Sequence, residues 1–190
     1  MIYGFNNLLS IYCYLTIYLT AIHPIPTYNT SIWALMMIEM LGRTEFLSDL
    51  DISTLADIST FSTFLSLQPG DTIMSENDKN SNSIYLLCSG DVEVLSNRSS
   101  ITSGEVVLSN KDTEIFGEMR WLKKQGGRTA TVRCKSDVQV IEIDGDQLMN
   151  YLEHNNAAGF LIMRRIANIL ANRMRNTDVL LKQLLWNSQM

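Results

Sequence analysis

The chain has 190 residues, 46% of them hydrophobic, which is enough for one domain with a sizeable core and an extension. Its net charge of −5 argues against non-specific nucleic-acid binding. Two histidines and three cysteines form no metal-binding or CxxC pattern, and no phosphate-binding loop, dinucleotide fingerprint or esterase elbow is present. The common hydrolytic enzymes are thereby left without support, and the unpaired cysteines indicate a reducing compartment.

Charge is distributed unevenly along the chain. Residues 39–156 carry ten basic and nineteen acidic side chains, whereas residues 157–190 carry five basic side chains and one acidic. We interpret the basic tail as a solvated helix face that partly neutralises the acidic body.

The first predicted element is an apolar stretch over residues 2–22, in a region without any charge before Glu39. As a helix it would be about 30 Å long, close to the thickness of a bilayer core. No Lys or Arg occurs before Arg43, so the flanking charges of a signal peptide or anchor are missing. Three interpretations stay open: a membrane anchor, a packed or disordered extension, and an over-extended reading frame whose translation begins at Met36 or Met37.

Two helices and a set of strands follow. Residues 32–41 have apolar side chains at helical spacing, with Gly42 as a stop signal, and a second helical stripe spans residues 50–61. Alternating or apolar runs then predict strands at 63–67, 72–74, 84–88, 92–95, 105–108, 128–134 and 138–143. Short strands joined by Gly/Asp turns, such as Pro69-Gly70-Asp71, indicate an antiparallel barrel or sandwich.

Helices close the chain. A short helical piece is predicted at 119–123, a helix at 144–152 and a long helix at 159–185. The long helix has a stripe close to a heptad seam, formed by Met163, Ala167, Leu170, Met174, Thr177, Leu181 and Leu184. This seam predicts a homodimer, with packing against the strands as the alternative.

The most informative motif lies between the strands. Phe116-Gly117-Glu118 offers one carboxylate after a glycine turn, and Arg128-Thr129-Ala130 follows ten residues after the glutamate. A carboxylate accepts hydrogen bonds from neighbouring sugar hydroxyls, and a guanidinium binds a phosphodiester charge through paired hydrogen bonds. The pair predicts a pocket for a small ribose phosphate. The alternative is a local Glu118–Arg128 salt bridge on the surface.

This order of elements, with its glycine–glutamate turn and following arginine, resembles the cyclic nucleotide-binding domain family. That family includes the catabolite activator protein, kinase regulatory subunits and cyclic-nucleotide-gated channels. The resemblance runs from about Ile32 to Leu185 and also includes Pro69-Gly70-Asp71, Tyr85-Leu86-Leu87, Gly90 and Val92-Glu93-Val94. It implies a mainly β fold, an antiparallel β-roll (jelly-roll-like barrel) with N-terminal helices and a long C-terminal helix. The corresponding division is 1–31 extension, 32–156 β-roll and 157–190 lid or dimerisation helix.

The resemblance also implies roles for individual residues. Glu118 would accept from the ribose 2′-hydroxyl, Arg128 would pair with the cyclic phosphate, and Gly117 would let the backbone approach the ligand. Thr129 would donate to the phosphate or contact a guanine base. The full implied ligand-binding set is Phe116, Gly117, Glu118, Met119, Arg128, Thr129 and Ala130, with Asn172, Arg173 and Met174 as lid candidates.

One position departs from the family pattern. The second residue after Glu118 is usually small in the family, and here it is Arg120. Its side chain would point outward, add a second cation near the phosphate, or crowd the pocket. The family also includes members that keep the fold and lose the ligand.

Two functions remain open at this point. The first is a stand-alone regulatory module that binds cAMP or cGMP and relays the signal through the C-terminal helix to an unidentified protein. The second is a ligand-free interaction or scaffold protein, tethered to a membrane if residues 2–22 insert. Too few residues follow Leu185 for a DNA-reading module, so direct DNA binding is not expected. We expect no enzymatic activity, no cofactor and no metal, and a cytoplasmic location, the alternative being a membrane-anchored protein with a cytoplasmic domain.

Overall fold

The computed structural model describes residues 30–96, 106–108, 114–123 and 126–188. The chain separates into two units, Met1–Met36 and Met37–Met190. The apolar stretch over residues 2–22 lies outside the described residues, so its three interpretations stay predictions. Among the helices that are described, none combines the length and apolar character needed to cross a bilayer.

In the part of the chain that the structure describes, helices flank eight strands. The helices are α1 (Thr30–Arg43), α2 (Ile52–Ser59), α3 (Glu118–Lys123), α4 (Gly145–His154) and α5 (Asn156–Asn187). The strands are β1 (Ser62–Leu67), β2 (Thr72–Met74), β3 (Ile84–Ser89), β4 (Val92–Ser96), β5 (Val106–Leu108), β6 (Ile115–Phe116), β7 (Thr131–Cys134) and β8 (Val138–Ile143).

The strands form two four-stranded sheets, with the orders β1-β8-β3-β6 and β2-β7-β4-β5. Every pairing in both sheets is antiparallel. The predicted fold class, an antiparallel β-roll with flanking helices and a long C-terminal helix, is therefore confirmed. The strands are arranged as two sheets and not as one closed barrel.

The first sheet is buried on both faces. Successive side chains of a strand point in opposite directions, so each strand contributes residues to both hydrophobic cores. On one face, Ile84 and Ile141 pack with helix residues in one hydrophobic core. On the other face, Tyr85 and Val140 pack with Val132 of the second sheet in another core. The loops and the short helix α3 at the end of these sheets carry the candidate site.

Some element boundaries differ from the predicted ones for local reasons. Gly42 does not stop α1, which continues to Arg43. The predicted strand from residue 128 begins only at Thr131, because the backbone of Arg128 pairs irregularly with a loop. Its amide donates to the Asp78 carbonyl at 3.0 Å, and its carbonyl accepts from the Asn77 amide at 2.9 Å.

The predicted seam of α5 divides into two parts. Met163 and Leu170 pack against the hydrophobic core that contains Ile84, Ile141 and the helix residues. Met174, Leu181 and Leu184 lie farther along the helix and are 53–68% exposed. The first half of the seam is thus used for packing within the chain, and the second half is an exposed apolar row.

Candidate functional site

Arg128 is almost completely buried, with 2% of its surface exposed. Its Nη1 donates to the Gly117 carbonyl at 3.2 Å, and its Nη2 donates to Ser81 Oγ at 3.1 Å. The guanidinium lies over the Tyr85 ring, 5.6 Å from the centroid, in a cation–π contact. Nε is buried and has no hydrogen-bond partner among the described residues. A buried donor without a partner is costly, so this group is chemically available for an acceptor.

The charge of Arg128 is not neutralised by a carboxylate at contact distance in the described part of the chain. Burial is the largest influence on its pKa and lowers it, because the charged form loses solvation. The nearby Arg120 guanidinium also lowers the pKa of Arg128, while Tyr85 raises it. An arginine remains protonated in any case, so a buried cation faces neutral acceptors and an aromatic ring.

Gly117 has a conformation and a location that exclude a side chain. Its φ is +86°, in the left-handed region that favours glycine. A Cβ there would contact Arg128 Nη1 and lie 2.7 Å from the Ser83 carbonyl oxygen. The glycine is therefore required by close approach of this chain's own arginine and loop, a reason in addition to the predicted approach of a ligand.

Glu118 is the first residue of α3 and is only 2% exposed. Its Oε1 accepts a hydrogen bond from Nη1 of Arg173, which comes from α5. Nη2 of the same arginine donates to the Ile115 carbonyl at 2.7 Å. The local Glu118–Arg128 salt bridge that the sequence left open is not formed, since each of the two groups has other partners.

The remaining predicted site residues divide by exposure. Phe116 and Ala130 are buried, and Phe116 packs in the core between the sheets. Thr129 and Met119 are exposed. The residues of α5 next to Arg173 are exposed. Asn172 Oδ1 accepts from Arg175 Nη1 at 3.2 Å on the helix surface, and Met174 is 68% exposed. Of the three lid candidates, Arg173 alone contacts a predicted ligand-binding residue.

Sequence reasoning missed the residues that surround Arg128. Ser81 Oγ, which accepts from Arg128, lies in a polar loop that has no motif of its own. Tyr85 was noted only as part of a strand, and its hydroxyl donates to Glu142 Oε1 at 3.1 Å. Burial raises the pKa of the Tyr85 hydroxyl, so this group stays a neutral donor at physiological pH.

Arg120 makes contacts that the sequence did not indicate, because its guanidinium donates to three loop carbonyls. Its Nε donates to the Ser81 carbonyl at 2.9 Å, its Nη2 to the Lys79 carbonyl at 2.6 Å, and its Nη1 to the Gly126 carbonyl. The side chain therefore joins two loops beside Arg128. The signal for a special role was its departure from a small residue at this position.

With this geometry in view, comparison with known families is decisive. The model of the cyclic nucleotide-binding domain matches residues 64–155. Residues 64–155 are a cyclic nucleotide-binding domain. The matched segment runs from β1 to the cap between α4 and α5, so it includes Glu118 and Arg128 and leaves out Arg173. The family resemblance seen in the sequence is confirmed.

Solved structures agree with this assignment. A candidate cyclic nucleotide-binding protein from Geobacter metallireducens is 28% identical, with a TM-score of 0.58 over 72% of this chain and 96% of that chain. The catabolite activator protein of Thermus thermophilus is 21% identical, with a TM-score of 0.58 over 73% of this chain and 62% of its own. The regulatory domain of Toxoplasma gondii PKA, solved with cAMP, is 12% identical, with a TM-score of 0.58 over 75% of this chain and 50% of its own. The last two share the fold. A search of curated proteins found no match.

Proposed function

We propose that this chain is a regulatory module that binds cAMP or cGMP and relays binding through α5 to a partner protein. In this proposal Glu118 accepts from a ribose hydroxyl, and Arg128 pairs with the cyclic phosphate. The family match supports the ligand class. The burial of Arg128, together with its unpartnered Nε, supports its assignment to an anion.

The observation that carries the relay is the contact between Arg173 and Glu118. It connects the proposed sugar-binding carboxylate directly to the C-terminal helix. A ribose hydroxyl and the Arg173 guanidinium would compete for the same oxygen, so binding would change the contacts of α5. A ligand shifts such an equilibrium only through its different affinity for the two helix positions, and this competition is a source of that difference.

Calorimetric titration of the full chain with cAMP and with cGMP tests the binding. We expect saturable heat with at least one of the two nucleotides. Arg128→Ala should weaken binding at least about tenfold, since charge-assisted hydrogen bonds contribute roughly 1.5–3 kcal/mol each and 1.4 kcal/mol is a factor of ten. Equal affinity in Arg128→Ala, from a sample with unchanged circular dichroism, contradicts the proposed role.

Amide hydrogen exchange tests the relay separately. Nucleotide should alter the exchange rates of α5 amides around Arg173 in the wild-type chain. Saturable binding without any change in α5 would reject the relay and leave the binding proposal standing. The ratio of the cAMP and cGMP affinities shows which nucleotide the chain prefers. Thr129, which is exposed, is the residue to substitute in a test of that preference.

A ligand-free interaction module is the second candidate, and the same ion pair favours it, because the buried Glu118 carboxylate already has a partner within the chain. Absence of heat with either nucleotide, from a folded sample, would support it. Under both candidates we propose a binding role without catalysis. The exposed apolar row of α5 is the surface we propose for a second copy of the chain, which sedimentation at several concentrations would detect.

A further inference from the structure

Two loops meet beside the Arg128 guanidinium, and Arg120 bonds to both. The first loop supplies the carbonyls of Lys79 and Ser81, and the second supplies the carbonyl of Gly126. A guanidinium has five N–H donors in a fixed planar fork, so it can hold three carbonyls at once. A lysine ammonium at the end of a flexible chain has no such geometry.

These two loops decide where the Arg128 side chain can lie. Gly126 is two residues before Arg128 on the same segment, whose backbone pairs with Asn77 and Asp78. Ser81 belongs to the facing loop, and its Oγ accepts from Arg128 Nη2 at 3.1 Å. Ser81 Oγ in turn donates to Ser83 Oγ at 3.3 Å. The three carbonyl contacts of Arg120 therefore fix both the segment that carries Arg128 and the hydroxyl that orients it.

We propose that Arg120 is a positioning residue for anion recognition. By holding the 79–81 loop against residue 126, it keeps Ser81 in contact with Arg128 and orients the guanidinium so that the buried Nε is left without a partner among the described residues. The inference rests on the proposed function, since the anion is taken to be the cyclic phosphate. It goes further by assigning a role to a residue outside the predicted ligand set and to the loop that Arg120 holds.

Electrostatics gives Arg120 a second reason to matter. In the described part of the chain, neither Arg120 nor Arg128 has a carboxylate within ion-pair distance. Arg120 lies near enough to lower the pKa of Arg128. Two cations near one another repel, and an anion placed between or beside them relieves that repulsion. The arrangement thus favours an anionic ligand over a neutral nucleoside.

The test measures cAMP and cGMP affinity by calorimetry in the full chain for Arg120→Ala, Ser81→Ala and the double variant. Lys123→Ala is the matched control, because it removes one exposed cation from the same helix α3. We expect Arg120→Ala to weaken binding about tenfold and Lys123→Ala to leave it unchanged. The loss in the double variant should equal that of the larger single variant, because both residues act through one contact.

Arg120→Lys keeps the charge and removes the fork, and it serves if Arg120→Ala fails to fold. We expect it to lose most of the affinity that the alanine variant loses. Wild-type affinity in Arg120→Lys would overturn the positioning role, and so would additive losses in the double variant. If the wild-type chain binds neither nucleotide, the proposed function fails first. If the wild-type chain binds and Arg120→Ala matches Lys123→Ala, only the present inference fails.

Discussion

The two sides of the candidate site are held by contacts of different origin. On the arginine side, Arg128 contacts Ser81, Gly117 and Tyr85, all of which lie within residues 64–155. On the glutamate side, the partner of Glu118 is Arg173, on a helix outside that segment. The groups in direct contact with the cation are neutral, whereas an opposite charge neutralises the carboxylate.

This difference separates a fixed half from an adjustable half. The contacts of the arginine side come from strand β3 and from loops that adjoin the strands, so we expect them to persist as long as the sheets are folded. The contact of the glutamate side depends on the position of α5, whose apolar side chains in the hydrophobic core come from its first half, up to Leu170. We therefore expect substitutions on the arginine side to affect folding and binding together, and substitutions on the glutamate side to affect binding and the helix.

The largest effect is expected where the arginine side is directly disrupted, in Gly117→Ala. The added Cβ meets Arg128 and the Ser83 carbonyl at a positive φ, so the chain must shift or lose the Arg128 contacts. The free energy of unfolding should fall by about 1–3 kcal/mol, the usual cost of local backbone strain, and nucleotide affinity should fall as well. Thermal denaturation and calorimetry provide the two measurements.

Gly70→Ala is the matched control for this substitution. Gly70 has a φ of +94°, but a Cβ there would have nothing within 4 Å. Both variants share the strain from the positive φ. Any additional loss of stability or affinity in Gly117→Ala therefore measures the clash of the added Cβ with Arg128 and the Ser83 carbonyl. Equal stability and equal affinity in the two variants would show that the approach of Gly117 to Arg128 is unimportant.

Arg173→Met tests the glutamate side, because it removes the group that competes with the ligand for the Glu118 carboxylate. Nucleotide affinity should rise by about fivefold or more, a typical magnitude for coupling between sites. The unfolding free energy should fall, because a buried carboxylate loses its partner. Arg175→Met removes an exposed arginine from the same helix and should change neither quantity. A fall in affinity in Arg173→Met would show instead that this arginine helps to hold the ligand.

The smallest effect is expected at Asp144, the N-cap of α4, the helix that connects the last strand to α5. Its side chain accepts from the amides of Asp146 and Gln147 at 3.0 and 2.9 Å. Asp144→Ala should reduce the unfolding free energy by about 1 kcal/mol, the usual cost of losing such a cap. Chemical denaturation measures this loss, with exposed Asp137→Ala as the control.

The cap also has a definite dependence on pH. The hydrogen bond from the Gln147 amide is the largest influence on the pKa of Asp144 and lowers it from its ordinary value of 3.8. Because the pKa of Asp144 is lower in the folded state, the stabilisation from its ionised side chain is complete above the unfolded-state pKa. This stabilisation is lost as the pH falls through the folded-state pKa. The difference between wild type and Asp144→Ala should therefore disappear in strong acid. A difference that persists there would show that charge is not the cause.

Local chemistry made much of this structure predictable. The sheets follow from alternating side chains and glycine turns, and Pro69-Gly70-Asp71 has the positive φ at Gly70 that such a turn needs. The positive φ of Asn77 also fits the tolerance of asparagine for left-handed backbone. Glu118 and Arg128 were found because their spacing, within a glycine turn and before a strand, carries chemistry.

The contacts that were missed join residues far apart in sequence. Arg173 lies 55 residues from Glu118, and Arg120 lies 39 residues from Ser81 and 41 from Lys79, distances over which no periodicity carries information. Strand β6 has only two residues, too few for an alternating pattern. The partners of Arg128 were hidden because they include a backbone carbonyl and a serine, groups that every sequence contains in abundance.

The length of α5 gives the contact at Arg173 mechanical leverage. Asn187, the last residue of the helix, lies fourteen positions after Arg173, which corresponds to about 21 Å along the axis. Each degree of tilt about Arg173 would move the far end by about 0.4 Å if the helix stays rigid. A shift of the Arg173 guanidinium by a few ångströms, as it exchanges one partner for another, would in this way tilt α5. The tilt would move the C-terminal end of the helix, where Trp186 is 69% exposed, by a larger distance.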